Sequence, residues 1–429
     1  MKLETPDKIR KLQRALYSRA KREPTFRFYA LYDKTYRKDI LAHAYAQCRA
    51  NRGAAGPDGE SFEDIERSGV EVMLTQLAEQ LKDKTYRPGP VRRVYIPKSD
   101  GGERPLGIPN IADRVVQMAV KLVLEPIFEA DFDPSSYGFR PERGAHQALV
   151  ETRACMQEGM VWVIDADVSK YFDTIPHDRL MKVVATRIVD SSMLALVKLF
   201  LTAPVIDEGA GGGPRRPKAG VPQGGVISPL LANIYLHLLD RSFRKHVERG
   251  DWKGCLIRYA DDFVILSYQE PGRQLSWLRA FMTRLGLELH PTKTKVVDTR
   301  EEGFDFLGYR MSRYEGEVQL DMSCRSRRNI HLRLRGFTRL LFLGIDDVVE
   351  RLNRYIRGAR GYYCLSPWWS LRRMDSMTAM RMARWWAKKH SMKQPAWSLM
   401  SGNNLQKRHG LVTWAGRPPW DRQLAWAHE

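Results

Sequence analysis

The chain has 429 residues, enough for two or three packed domains, and its 43% apolar content is that of a globular protein rather than a disordered one. A formal net charge of +20 repels itself unless it meets a polyanion, of which nucleic acid is the commonest; the bland alternative is a basic protein that merely stays in solution. The N-terminus MKLETPDKIRKLQR lacks an apolar signal core, no run of about 18 apolar residues could span a membrane, and five scattered cysteines without a CxxC pair argue against a zinc site or a disulfide framework, so a reducing cytosol fits.

In chain order, residues 1–50 read as basic helices with Ile9, Leu12 and Leu16 at helical spacing. NRGAAGPDGES (51–61) breaks that pattern with glycines and a proline. A helix with Val72, Leu74, Leu77 and Leu81 follows, then a strand in VRRVYIP (91–97) and a turn at SDGG (99–102). The next helix carries Val115, Val116, Met118, Ala119 and Leu122. From 161 to 308 short apolar strands alternate with helices: VWVIDADV, then CLIRY (255–259) and FVILSY (263–268), then FDFLGYR (304–310). Glycine-rich GAGGGPRRPKAG (209–220) reads as a mobile turn between two strands, because apolar runs adjoin both ends.

Beyond 310 the sequence predicts helices and carries most of the charge. Residues 310–429 hold 23 Lys plus Arg against 9 Asp plus Glu, and eight of the eleven Trp. Trp368, Trp369, Trp385 and Trp386 are each expected in the core, so the expectation of RNA contact rests on the basic excess. In RRNIHLRLRGFTRLL, Ile330, Leu334, Phe337 and Leu341 share one face, while Arg328, Arg335 and Arg339 lie off it. In DDVVERLNRYIRGARGYY, acids at the first turn suit the helix dipole, and Arg351, Arg354 and Arg357 form a ridge of charge, with a solvated face as the plainer reading.

The sharpest chemical feature is Tyr259-Ala260-Asp261-Asp262, two adjacent acids between two apolar strands. A turn uses one Asp for backbone hydrogen bonds, but two side by side repel, and a divalent cation relieves that cost. The second feature is the run Asp165-Ala-Asp167-Val-Ser-Lys-Tyr-Phe-Asp173, in which Asp167 ends a strand and Asp165 shares its face as the rival candidate. Brought beside Asp261 and Asp262, Asp167 would complete a carboxylate cluster for two Mg2+ ions, which activate a 3′-hydroxyl and stabilise a leaving pyrophosphate.

The ordered set NRGAAGPDG, YIPKSDGGERPLGIPNIADRVVQ, SYGFRPERGAHQAL, VIDADVSKYFDTIPHDRL, GVPQGGVISPLLANIYL, RYADDFVIL, LELHPTKTK and FDFLGYR resembles the fingers and palm of reverse transcriptases, most of all those encoded by group II introns. RLNRYIRGARGYYCLS is similar, more weakly, to the thumb or maturase X region of intron proteins. The resemblance implies an α+β right-hand polymerase: an N-terminal basic helical extension over 1–50, fingers and palm with an antiparallel sheet backed by helices over 51–310, and a helical basic thumb and X domain over 311–429. It implies that Asp167, Asp261 and Asp262 are the metal ligands, that Phe172 blocks a nucleotide 2′-hydroxyl, and that Lys98 and Arg104 contact the triphosphate. It further places Gln223 near the incoming nucleotide and Lys293 where it protonates pyrophosphate. The family usually has Asn where His290 stands. No His/Asn-rich endonuclease module with cysteine pairs follows, as in compact members of the family, so DNA cleavage is not expected.

The implied partners are an RNA template, a DNA primer, dNTPs, intron RNA and a DNA target, with the protein in a bacterial cytoplasm and on the nucleoid when acting on DNA. Two other readings stay open. One is a splicing maturase that binds RNA without catalysis, against which the three aspartates count; the other is a host-recruited reverse transcriptase serving defence or repair, which genomic context would reveal.

Overall fold

The computed structural model describes residues 3–97, 102–207 and 213–416. Its N-terminal part is helical: α1 (Asp7–Arg22), α2 (Tyr32–Thr35), α3 (Lys38–Ala50), α4 (Phe62–Ser68) and α5 (Val70–Lys82). Ser61 starts α4 with a reciprocal cap, its hydroxyl accepting from the Asp64 amide at 3.2 Å while its own amide donates to the Asp64 carboxylate at 3.0 Å. In α5, Leu74, Leu77 and Leu81 face inward, but Val72 is exposed, so the buried stripe is narrower than the sequence predicts. The strands β1 (Val91–Pro97) and β2 (Glu103–Ile108) pair antiparallel, and most of the expected SDGG turn between them lies outside the described residues. Helix α6 (Ile111–Glu129) has fifteen of its nineteen residues buried; apolar on nearly every side, it packs against α1 and α3 as the centre of this part. The NRGAAGPDG loop is pinned from within, Arg92 and Arg114 donating to the carbonyls of Ala55 and Ala54.

After α7 (Ala145–Gln157) the chain builds a four-stranded sheet. Its strands are β3 (Trp162–Asp167), β5 (Gly254–Tyr259), β6 (Asp262–Ser267) and β7 (Lys295–Asp298), ordered β5-β6-β3-β7 and antiparallel throughout. Between β3 and β5 come α8 (Tyr171–Thr174), α9 (His177–Val184), α10 (Ser191–Leu201), the short β4 (Val205–Asp207) and α11 (Ser228–Glu248); α12 (Gly272–Leu285) joins β6 to β7. Alternation along the strands feeds two cores. Ile164, Ala166, Phe263 and Ile265 face the large helical core, whereas Val163, Val264 and Leu266 face a second core shared with α7 and the strands that follow.

Strand β4 pairs parallel with β1, which links the two parts of the fold. The glycine-rich segment does not join two full strands: Arg215 returns to β4 through a single bridge to Val205, and residues 208–212 lie outside the described residues.

FDFLGYR is not one strand. It divides into β8 (Phe304–Phe306) and β9 (Tyr309–Tyr314) around a two-residue turn in which Leu307 and Gly308 have φ of 49° and 79°. Positive φ at both central residues matches the twist of the flanking strands, and a bulky leucine there hides the turn from composition. The sheet β10-β9-β8 is completed by β10 (Glu317–Met322), so helix resumes only at α13 (Cys324–Phe337) and not directly after Arg310. Then come α14 (Ile345–Tyr362), α15 (Trp368–Lys389) and α16 (Gly402–His409), packed around a third core of Leu334, Leu352, Ile356, Met382, Trp385 and Trp414. Ile330 and Leu334 are buried as expected, but α13 ends at Phe337 and Leu341 is 40% exposed beyond it. The tryptophans divide: Trp385 is 1% exposed and Trp386 half-buried, whereas Trp368 and Trp369, at the very start of α15, are 62% and 48% exposed. No helix among the described residues is long and apolar enough to cross a membrane.

Candidate active site

Cross-strand register brings the acids together. Asp167, the last residue of β3, lies directly opposite Asp262, the first residue of β6, and Tyr259 lies opposite Asp262 on the other side. Directly opposed residues of an antiparallel pair share a face, with Cβ atoms about 4.5–5.5 Å apart. Asp261 occupies the two-residue turn between β5 and β6. Asp165, two residues before Asp167 on the same face, is half-buried beside them.

Electrostatics report the crowding. Burial, then repulsion from Asp165, Asp261 and Asp167, pushes the Asp262 carboxyl up to about 7. Burial and the Asp167 charge push Asp165 up to about 6. Burial and Asp167 likewise raise Asp261, against the opposing pull of Arg104 and Arg258. Asp262 is nonetheless exposed to solvent at the start of β6, so a small ion can reach it. Among the described residues, Lys293 pairs with Asp167, its Nζ 3.2 Å from Oδ2.

Hard carboxylate oxygens with unneutralised negative charge suit a hard divalent cation. Among the described residues, no three acidic, histidine or cysteine side chains already converge tightly enough to hold a metal unaided. Mg2+ does not require that, because it is typically held by one or two carboxylates completed by water and substrate phosphates. The donor set therefore fits Mg2+ brought with a nucleotide.

Arg104 is exposed on β2, within electrostatic reach of Asp261. Lys98 lies outside the described residues. Gln223 accepts the Gly107 amide on its carbonyl at 2.5 Å, which docks its loop on β2, and its side chain donates to Asp173 at 3.4 Å. A cavity of about 250 Å3 opens here, lined by Arg93, Tyr95, Gly107, Asp173 and Gln223 among others. Phe172 is half-buried next to it, edge-on to Tyr171 at 5.5 Å, and its carbonyl accepts from Val221 at 2.7 Å. His290 donates its amide to the Asp167 carbonyl at 2.7 Å, and its ring Nδ1 lies 3.4 Å from the Thr292 amide. An Asn at this position would bond its own backbone two residues on, so the imidazole takes over that turn-forming contact.

Arg328, Arg335, Arg339, Arg351, Arg354 and Arg357 are all exposed and far along the chain from these acids. Arg339 lies in the turn after α13, and Arg354 pairs with Glu350 at 2.9 Å, so the ridge is less uniformly uncompensated than its sequence suggests.

Sequence reasoning passed over Arg258, although an arginine inside the apolar strand CLIRY was a visible signal. It is fully buried and forks onto Asp240 of α11 at 2.8 and 2.6 Å.

Comparison with known proteins fixes the family. The profile described as reverse transcriptase (RNA-dependent DNA polymerase) matches residues 96–311, half of the chain, and includes all three aspartates. The chain belongs to the reverse transcriptase family. A second profile, described as the group II intron maturase-specific domain, matches residues 328–402, so this reverse transcriptase is of the group II intron type. It is 37% identical over 355 residues to Protein YkfC of Escherichia coli, covering 73% of this chain and 91% of that protein. It is 39% identical over 215 residues to the group II intron-encoded protein LtrA of Lactococcus lactis, covering 50% of this chain and 35% of LtrA. It is 28% identical over 407 residues to an uncharacterized 91 kDa protein in the cob intron of Schizosaccharomyces pombe, spanning 49% of that protein. As a reverse transcriptase it is an RNA-directed DNA polymerase.

Proposed function

We propose that the enzyme extends a DNA primer with dNTPs on an RNA template, with Asp167, Asp261 and Asp262 holding two Mg2+ ions at the primer terminus. The observation that carries this reading is the register that sets Asp167 directly opposite Asp262, beside the turn bearing Asp261. In this reading the sheet β5-β6-β3-β7 is the palm, β1 and β2 with the N-terminal helices form the fingers, and α13 to α16 form the thumb and X region. The strand spans favour a palm–thumb junction near Ser323, at the end of β10, in place of 310.

Two Mg2+ ions bound there would lower the pKa of the primer 3′-hydroxyl and neutralise charge on the leaving pyrophosphate. The chain's own groups position and discriminate. Arg104 and Lys98 donate charge-assisted hydrogen bonds to the triphosphate. Lys293, its Nζ 3.2 Å from Asp167 Oδ2, serves the departing pyrophosphate as a general acid. Gln223 and the cavity beside it take the incoming nucleotide. Phe172 presents a ring against the sugar and excludes a 2′-hydroxyl. Phe172→Ala should therefore reduce discrimination against ribonucleotides by about tenfold or more in competitive incorporation; unchanged sugar selectivity would reject that role.

The maturase-specific match supports a further role in binding intron RNA, assisting its splicing and inserting it at a DNA target. The basic C-terminal helices supply the contact surface, with Arg328, Arg335, Arg339, Arg351, Arg354 and Arg357 on phosphates. If all six neutralise phosphates, log K for RNA should fall against log salt with a slope of about −4 to −5, and each Arg→Ala change should flatten it by about one. A flat response would remove the basic helices from RNA binding. The enzymatic reading is tested by purified protein, a DNA primer on an RNA template and labelled dNTPs: incorporation should require both the template and Mg2+. Background incorporation under all conditions would leave a binding-only maturase as the better account.

A further inference from the structure

We infer that Arg258 is a positioning residue for DNA synthesis: its guanidinium clamps the carbonyl of Ala260 and so fixes the turn that carries Asp261. This rests on the assignment of Asp261 to the reaction centre.

Arg258 lies on β5 one residue before Tyr259, so it points to the opposite face of the sheet from Asp262 and into α11. It is 0% exposed. Its planar fork is used on three partners at once. Nε and Nη2 donate to the two oxygens of Asp240 at 2.8 and 2.6 Å, and Nη1 donates to Asn233 Oδ1 at 2.9 Å and to the Ala260 carbonyl at 2.9 Å. Asp240 and Asn233 both sit on α11, a long helix whose inner face is buried. The turn carbonyl is thus tied to a long, buried helix behind the sheet.

The turn needs such a tie. Ala260 has φ of 60°, the left-handed region that L residues other than glycine rarely adopt. A conformation of that kind persists only where its surroundings over-determine it, and such residues gather at functional sites. Asn233 donates onward to the Gly138 carbonyl at 2.7 Å, and Gly138 lies so close to the turn that a Cβ there would stand 2.3 Å from the Ala260 nitrogen. Tyr137 and Ser135 complete the frame by bonding the Arg258 backbone at 2.8 and 2.9 Å. The turn is held by α11 on one side and by residues 135–138 on the other.

Stability alone does not account for an arginine here. A buried ion pair is commonly matched or bettered by apolar residues of similar volume. What an apolar residue cannot do is hold the Ala260 carbonyl, and what a lysine cannot do is reach Asp240, Asn233 and that carbonyl together, since its ammonium is a point rather than a fork.

The test uses Arg258→Lys, which keeps a positive charge opposite Asp240, and Asn233→Ala, which leaves the Arg258–Asp240 pair intact. In RNA-templated primer extension, Arg258→Lys should lower kcat by about 10- to 100-fold, the scale of a small misplacement of a reacting group. The half-saturating Mg2+ concentration should rise by about tenfold, as for groups that orient metal ligands. KM for dNTP, RNA affinity and the folded fraction at the assay temperature should stay at wild-type values. Asn233→Ala should shift Mg2+ half-saturation in the same direction by less, and it gives the same readout if Arg258→Lys does not fold. Wild-type Mg2+ half-saturation in the variants overturns the proposal, whether kcat is unchanged or falls only with the folded fraction. Failure of the wild-type enzyme to show Mg2+-dependent extension would overturn the site assignment, and this inference with it.

Discussion

Asp261→Ala should reduce RNA-templated DNA synthesis by about a thousandfold or more while leaving RNA affinity unchanged. If Asp261 is one of three carboxylates holding two ions, as proposed, its removal forfeits several kcal/mol of charge stabilisation in the transition state, and about 4 kcal/mol corresponds to a thousandfold. Asp261 sits in a turn, where a methyl group in place of its carboxylate leaves both flanking strands paired through their backbones. The expected RNA-contacting arginines lie in and beside α13 and in α14, on other elements. Single-turnover extension measured beside an RNA-binding titration separates the outcomes. Equal loss of synthesis and RNA binding would make Asp261 a structural residue.

Asp240→Ala should destabilise the protein by about 3–5 kcal/mol, because it leaves the fully buried Arg258 guanidinium without its counter-charge. Domains of ordinary stability have about 5–15 kcal/mol in all, so this one change removes a large share. Burial raises the Asp240 carboxyl, but the charge and hydrogen bonds of Arg258, with His237 Nδ1 3.6 Å away, outweigh it and bring the group down to about 2. The folded value therefore lies below the unfolded one. The pair's contribution is fully present above the ordinary carboxylate pKa of about 4 and is lost only as pH falls toward 2. Urea unfolding at neutral pH should show the full loss in Asp240→Ala, and the gap between wild type and variant should narrow below about pH 4. A variant with wild-type stability at neutral pH would contradict this account of the core behind the sheet.

Much of the site was legible because its parts are local. The YADD turn lies between two short apolar runs, and the strand ending at Asp167 is one residue pattern long. Alternation alone placed Asp165 and Asp167 on one face. What alternation does not supply is the register between strands, and only register sets Asp167 against Asp262. The Arg258 clamp was hidden for a related reason: its partners Asn233 and Asp240 come from a helix that reads as ordinary core, and the contact depends on how α11 crosses the back of the sheet. The split of FDFLGYR into two strands was masked because Leu307 takes a conformation usually given to Asn or Gly. Trp368 and Trp369 defied the expectation of burial because they start α15 at a helix end, ahead of the turns that pack inward, and Arg372 stacks on Trp368 at 4.7 Å from its ring centre.

The central claim is that carboxylates from β3 and from the β5–β6 turn surround one metal centre. Fe2+ can replace Mg2+ and, with peroxide and ascorbate, cleaves the backbone beside the ion it occupies. With primer, RNA template and dNTP bound, cuts should appear at both residue 167 and residues 261–262, and excess Mg2+ should suppress both together. Cleavage at only one of these places, or at neither, would contradict the account.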